Sequence, residues 1–304
     1  MRYRYFVAGL LAIISMFIIS SCSNESNNNH QDLIIYTSIY PVQFLVEQIA
    51  GDVAEVKSIY PPGVDAHTYE PKTKEITAIA NASLFFYIGG GMESFSETVA
   101  KALQQQPVKL VEISNQENLF LSANSNEQHQ HDLDPHIWLD PSRMILIGEM
   151  IKNELINVSS ENEAIFTQQF SELKKSLQKL DEDFQNTLSK KSNKKILVTH
   201  AAYRYWEERY DLEQIAISGL SSSDEPSQKE LANITKLAIE NNIQFVLFEQ
   251  TSSNRIATIV QEHIGAKKLT IHPLEILTEK DIEEKHTYII LMYENLNTLD
   301  KSMN

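Results

Sequence analysis

The chain has 304 residues, with 26 Lys and Arg against 41 Asp and Glu, and a formal net charge of -15. That length suits two domains better than one. The charge argues against nucleic acid, whose recognition needs clustered Lys and Arg, and is compatible with a cationic ligand.

At the N-terminus, "MRYRY" carries two arginines and no acid, "FVAGLLAIISMFIIS" is a near-continuous apolar run, and "SCSNESNNNHQD" turns abruptly polar. This is the layout of a secretory signal. Its end, "ISSC", resembles a bacterial lipoprotein signal. The resemblance implies removal of residues 1–21 as a signal peptide and diacylglycerol on the thiol of Cys22. Cys22 is the one cysteine in the sequence, so the mature chain has no internal disulfide. Residues 22–32 are too polar to fold alone and read as a flexible tether. The expected location is outside the cell membrane, anchored to it by lipid.

Residues 33–141 alternate strands with helices. A short apolar strand at 33–37 leads into a helical pattern that closes at Gly51. "VAEVKSIYP" is a strand ended by Pro61 and Pro62, and "PKTKEITAIANA" is a helix. "SLFFYIGGG" is a strand apolar throughout, as expected when both faces are buried. "MESFSETVAKAL" reads as a helix and "PVKLVEI" as a strand. This rhythm predicts a parallel α/β lobe.

Residues 142–192 differ. No glycine follows Gly148, and apolar residues recur at helical spacing from Ile147 through Leu188. The pattern predicts one very long helix, or two joined near "NVSSEN", linking two lobes. The α/β rhythm resumes over 193–304: strands in "KKILVTH", "LEQIAISGL", "IQFVLFE" and "KKLTIHP", and helices between them. One of these helices is capped by Ser227 with Glu230 three residues on. A final helix is expected from Lys285, placing His286 within it. The two halves share this rhythm and no other repeat.

Four of the nine histidines stand out. His67 in "PPGVDAHTYEP" follows a strand, where open α/β sheets place binding residues. His136 in "DPHIWLDP" sits on a turn stiffened by two prolines. His200 in "ILVTHAAYRYW" ends an apolar strand. Imidazole is the commonest metal ligand. The gaps of 69 residues (67 to 136) and 64 residues (136 to 200) exclude a zinc-finger module and suit a site between lobes. "IHPLEILTEKD" offers His272 or Glu275 as a fourth ligand, and the residues themselves leave that choice open.

The segments "YTSIYPVQFLVEQIAGD", "PPGVDAHTYEP", "DPHIWLDP", "VTHAAYRYW", "SSSDEPSQKEL", "FEQTSS" and "IHPLEILT" resemble, in this order, the zinc-type solute-binding lipoproteins of metal ABC importers, the cluster A-I or ZnuA/AdcA-like family. The resemblance covers essentially the whole mature chain. It implies two parallel-sheet α/β lobes joined by a single long backbone helix, with the metal in the cleft between lobes. Carried over by position, it implies His67, His136, His200 and Glu275 as metal ligands, favouring Glu275 over His272. Manganese-type relatives usually carry an acid where this chain has His200, and three imidazoles with one carboxylate favour Zn²⁺ over Mn²⁺. His129 and His131, in a short polar loop ahead of "DPH", are candidate secondary metal residues or incidental ones. Trp138 reads as packing, and Glu249, ending a strand near the presumed cleft, as a strand-end acid, with support of a metal ligand from outside as the alternative.

The function implied is capture of Zn²⁺ and its delivery to an ABC permease and its ATPase, by a monomer. The alternatives are a manganese- or iron-binding member of the same class, or a surface adhesin with a structural metal site. No "HExxH", "GxSxG" or phosphate-binding glycine loop supports an enzyme.

Overall fold

The computed structural model describes residues 33–122, 133–250 and 255–303. The signal segment, Cys22, the tether, His129 and His131 lie outside them.

Strands β1 (Leu33–Thr37), β2 (Ala54–Ser58), β3 (Leu84–Tyr87) and β4 (Lys109–Glu112) form a parallel sheet in the order β2-β1-β3-β4. Every residue of β3 is buried, which explains the absence of polar alternation in "LFFY". Helix α1 (Tyr40–Ala50) has Pro41 in its first turn and ends at Gly51, whose φ of 53° costs little without a Cβ. Helices α2 (Thr73–Ala80) and α3 (Ser96–Leu103) complete the lobe. A small antiparallel pair, β5 (Leu121–Ser122) with β6 (Leu133–Asp134), leads to the His136 turn.

The linking region is two helices. Asp140 caps α4 (Pro141–Val158), its Oδ1 accepting from the Ser142 amide at 2.8 Å. The chain turns through Ser160–Asn162, where Asn162 Nδ2 donates to Ser159 Oγ at 2.8 Å. It then folds back as α5 (Glu163–Leu188). The two helices pack so closely that a Cβ on Gly148 would stand 3.1 Å from the Phe170 ring. Helix α5 buries Phe166, Phe170, Leu173, Leu177, Leu180, Phe184 and Leu188, a stripe at spacings of three and four. At about 1.5 Å per residue it is about 39 Å long. It packs on α1 of the first lobe and on the C-terminal helix of the second, and so is the long helix that joins them.

The second sheet contains β7 (Lys195–Val198), β8 (Glu213–Ala216), β9 (Phe245–Glu249) and β10 (Lys267–Ile271), all parallel, in the order β10-β9-β7-β8. Counted from the first strand of each lobe, both sheets read 2-1-3-4. The halves therefore share a topology, more than the rhythm seen in the sequence. Helices α6 (Arg204–Tyr210), α7 (Gln228–Glu240), α8 (Arg255–Ile264), α9 (Glu279–Glu283) and α10 (Tyr288–Ser302) follow. The Ser227–Glu230 capping box forms on α7. Helix α10 starts three residues later than the sequence suggests, because the Thr287 side chain caps it; His286 lies before the helix rather than in it. Among the described residues, no helix is long and apolar enough to cross a membrane.

Candidate metal centre

The 2-1-3-4 order reverses direction between its first and third strands, and ligands bind beyond the carboxyl ends of strands at such a switch point. Three of the four candidate ligands, His67, His200 and Glu275, follow strands of these two sheets at that end. His67 follows β2, where its amide donates to Asp65 Oδ1 at 2.9 Å. His200 lies two residues beyond β7, and Glu275 four beyond β10. His136 follows β6 across Pro135, and its amide donates to Asp134 Oδ1 at 3.0 Å.

One ligand atom from each of His67, His136, His200 and Glu275 lies within 4.8 Å of the others. Glu275 Oε1 stands 3.6 Å from His67 Nε2, 3.8 Å from His136 Nε2 and 3.9 Å from His200 Nε2. The two Nε2 atoms of His136 and His200 are 3.4 Å apart. Zinc bonds of about 2.0–2.1 Å to nitrogen set the corners of a tetrahedron about 3.3–3.4 Å apart. The four atoms thus surround a space of the right size. His67 Nε2 and Glu275 Oε1 are buried without a hydrogen-bond partner, a costly condition unless a ligand occupies the gap.

The far nitrogens of two rings each face a carboxylate. Asp134 Oδ1 lies 2.8 Å from His136 Nδ1. Glu249 Oε1 lies 2.5 Å from His200 Nδ1. Such outer carboxylates fix ring orientation and leave Nε2 to face a metal. Glu249 is thus more than a strand-end acid. Of the two, Glu249 is suggested by the sequence and Asp134 is not. For Asp134 the usable signal was its position two residues before His136. Glu249 had only its place at a strand end.

Charge distribution follows this geometry. Burial opposes protonation of His200, but Glu249 and then Glu275 outweigh it and hold the imidazole up to about 9. Burial likewise opposes the charge on His67, and Glu275 more than offsets it. At His136 burial prevails and the value falls below the ordinary one. Burial also opposes ionisation of Glu275, yet His67, His200 and His136 hold it down to about 2. The site therefore keeps a carboxylate ready at neutral pH, with a proton on His200 that a cation would displace.

His272 does not join the cluster. Its Nδ1 accepts from the Leu274 amide at 2.9 Å and its Nε2 lies 3.3 Å from Asp281 Oδ2. Aromatic residues stitch the lobes around the site. Trp138 Nε1 donates to the Pro273 carbonyl at 2.9 Å, Trp206 Nε1 to that of Leu139 at 2.7 Å, and the Tyr205 hydroxyl to that of Asp134 at 2.6 Å. Trp138 is fully buried, as a packing residue should be.

The family profile described as "Zinc-uptake complex component A periplasmic" matches residues 35–302. The chain belongs to this ZnuA family. Zinc-binding lipoprotein AdcA of Streptococcus pneumoniae (strain ATCC BAA-255 / R6) is 32% identical over 302 residues, covering 96% of this chain and 60% of AdcA. The chain thus spans 60% of that relative's length. High-affinity zinc uptake system protein ZnuA of Bacillus subtilis (strain 168) is 30% identical over 315 residues, covering 97% of each chain. The Zn(II)-bound ZnuA-like domain of Streptococcus pneumoniae AdcA superposes with a TM-score of 0.76 at 32% identity, over 90% of this chain and 99% of that one. ZnuA proteins are extracytoplasmic components of an uptake complex, which agrees with an exported chain.

Proposed function

We propose that this chain captures Zn²⁺ outside the membrane and delivers it to the permease and ATPase of an ABC importer, as a monomer tethered by lipid on Cys22. Residues 1–21 are the signal peptide, 22–32 the tether, 142–192 the link, and 33–141 and 193–304 the lobes. The ion is bound by His67, His136, His200 and Glu275. The observation that carries this reading is the convergence of three Nε2 atoms and one carboxylate oxygen on one point. Three nitrogens and one oxygen suit Zn²⁺ better than Mn²⁺, which prefers more oxygen ligands. Four protein ligands close the site to the water that a catalytic zinc keeps, so the chain binds and transfers rather than catalyses. The adhesin alternative has less support, since the matching family is an uptake component.

The test is metal content of the metal-stripped, unlipidated protein after exposure to equal Zn²⁺ and Mn²⁺, with His200→Ala and Glu275→Ala alongside. About one zinc per chain in the parent, weakened in both variants, is expected of a four-ligand site. Manganese retention, or zinc binding that neither substitution changes, would overturn the assignment.

A further inference from the structure

The turn that carries Glu275, residues 272–275, is built around His272. Several of its backbone groups have partners elsewhere in the fold. The His272 amide donates to Asn295 Oδ1 at 2.8 Å, and Asn295 Nδ2 donates to the His272 carbonyl at 2.8 Å. The Pro273 carbonyl accepts from Trp138, and the Glu275 carbonyl accepts from the Tyr40 amide at 2.8 Å. The Leu274 amide finds its acceptor within the turn itself. Leu274 has φ of 67°, a left-handed conformation that a branched, fully buried side chain rarely adopts. Its amide is taken by the imidazole of His272.

This bond fixes the state of the ring. Because the Leu274 N–H donates, His272 Nδ1 must be a bare acceptor, and the ring proton sits on Nε2, towards Asp281 Oδ2. Asp281 is itself held by the Thr278 amide at 2.8 Å and lies 3.1 Å from His286 Nδ1. His272 therefore uses one nitrogen to hold a strained turn and the other to anchor that turn to α9. We infer that His272 is a positioning residue for the metal site: its Nδ1 sets the Leu274 conformation, and through it the place of the Glu275 carboxylate among the three imidazoles. This rests on the reading of Glu275 as a ligand.

Two substitutions separate the two ring nitrogens. In His272→Asn the side-chain oxygen stands near the place of Nδ1 and can still accept from Leu274. In His272→Gln the amide reaches towards Asp281 and leaves the Leu274 N–H without its acceptor. Each is made in the parent and in a Glu275→Gln background. Zinc affinity is measured by chelator competition, and the coordination sphere by the visible absorption of the Co²⁺-loaded protein. Loss of an outer partner of a metal ligand typically costs about 10–100-fold in affinity. The expected result is a loss of that size for His272→Gln with an altered cobalt spectrum, a loss below about threefold for His272→Asn, and little further loss from His272→Gln once Glu275 is already changed. The inference is overturned if His272→Gln binds zinc as the parent does, if His272→Asn loses as much as His272→Gln, or if the loss is the same in both backgrounds. Failure of the parent itself to bind zinc would instead defeat the ligand assignment on which this rests.

Discussion

Glu249 Oε1 lies 2.5 Å from His200 Nδ1, while Nε2 of the same ring faces Glu275 Oε1 at 3.9 Å. The carboxylate at the end of β9 thus aims an imidazole that begins beyond β7, its neighbour in the sheet. The Tyr203 hydroxyl adds a weaker contact to the same oxygen at 3.4 Å. Glu249→Ala removes the anchor without touching the metal. Zinc affinity should fall by about 10–100-fold, read by chelator competition at fixed pH. An unchanged affinity would mean that packing alone orients His200.

The lobes should move little when the ion binds. Trp138 spans them: its Nε1 donates to Pro273, and its own carbonyl accepts from the Tyr288 hydroxyl at 2.6 Å. Its ring packs 5.2 Å from that of His136. Trp138→Phe keeps an aromatic ring and leaves the buried Pro273 carbonyl without its donor. The cost should be about 1–3 kcal/mol in folding stability, measured from the denaturant midpoint. Small-angle scattering with and without zinc should superpose; a clear contraction on zinc addition would show that these bonds do not restrain the lobes.

Much of this arrangement was legible in the sequence because local rules set it. Strand ends locate His67 and His200, Asp-Pro pairs stiffen the His136 turn, and the Ser227–Glu230 box fixes a helix start. What was not legible depends on pairing between distant elements. Glu249 meets His200 because β9 neighbours β7, an order that no local pattern records. His272 looks as good a ligand as Glu275 until its two nitrogens are seen to be spent on Leu274 and Asp281. The break at Ser159 is one of the two forms that the sequence pattern allows for the link. It is decided by the fold-back of α4 on α5, where Gly148 makes room for Phe170. The same strand order in both lobes is not legible in the sequence, because topology leaves no repeat in side chains.

The long helix offers a test of the frame rather than of the site. Leu177 is fully buried on α5, midway along the stripe that both lobes share. Leu177→Ala should destabilise the protein by about 2–5 kcal/mol through lost burial and the cavity left behind. Thermal or denaturant unfolding reads this directly. A cost below about 1 kcal/mol would show that the helix relaxes into the gap and is not the rigid link that its packing suggests.

Proton release should accompany metal binding. His200 is held above its ordinary value of 6.5, up to about 9. In the metal-free protein its pairing therefore contributes stability that is fully present below about 6.5 and is lost as pH rises through about 9. Glu275 behaves oppositely: its contribution is present above the ordinary value of 4.5 and is lost as pH falls through about 2. Near neutral pH the carboxylate is already ionised, and zinc must displace the proton of His200. Affinity should then fall by about tenfold per pH unit for each proton displaced, and titration calorimetry in buffers of different ionisation enthalpy should count at least one proton released at neutral pH. Glu249→Gln removes the charge that holds this proton, so the count should drop in that variant. A count of zero in the parent would mean that His200 is already neutral before the ion arrives.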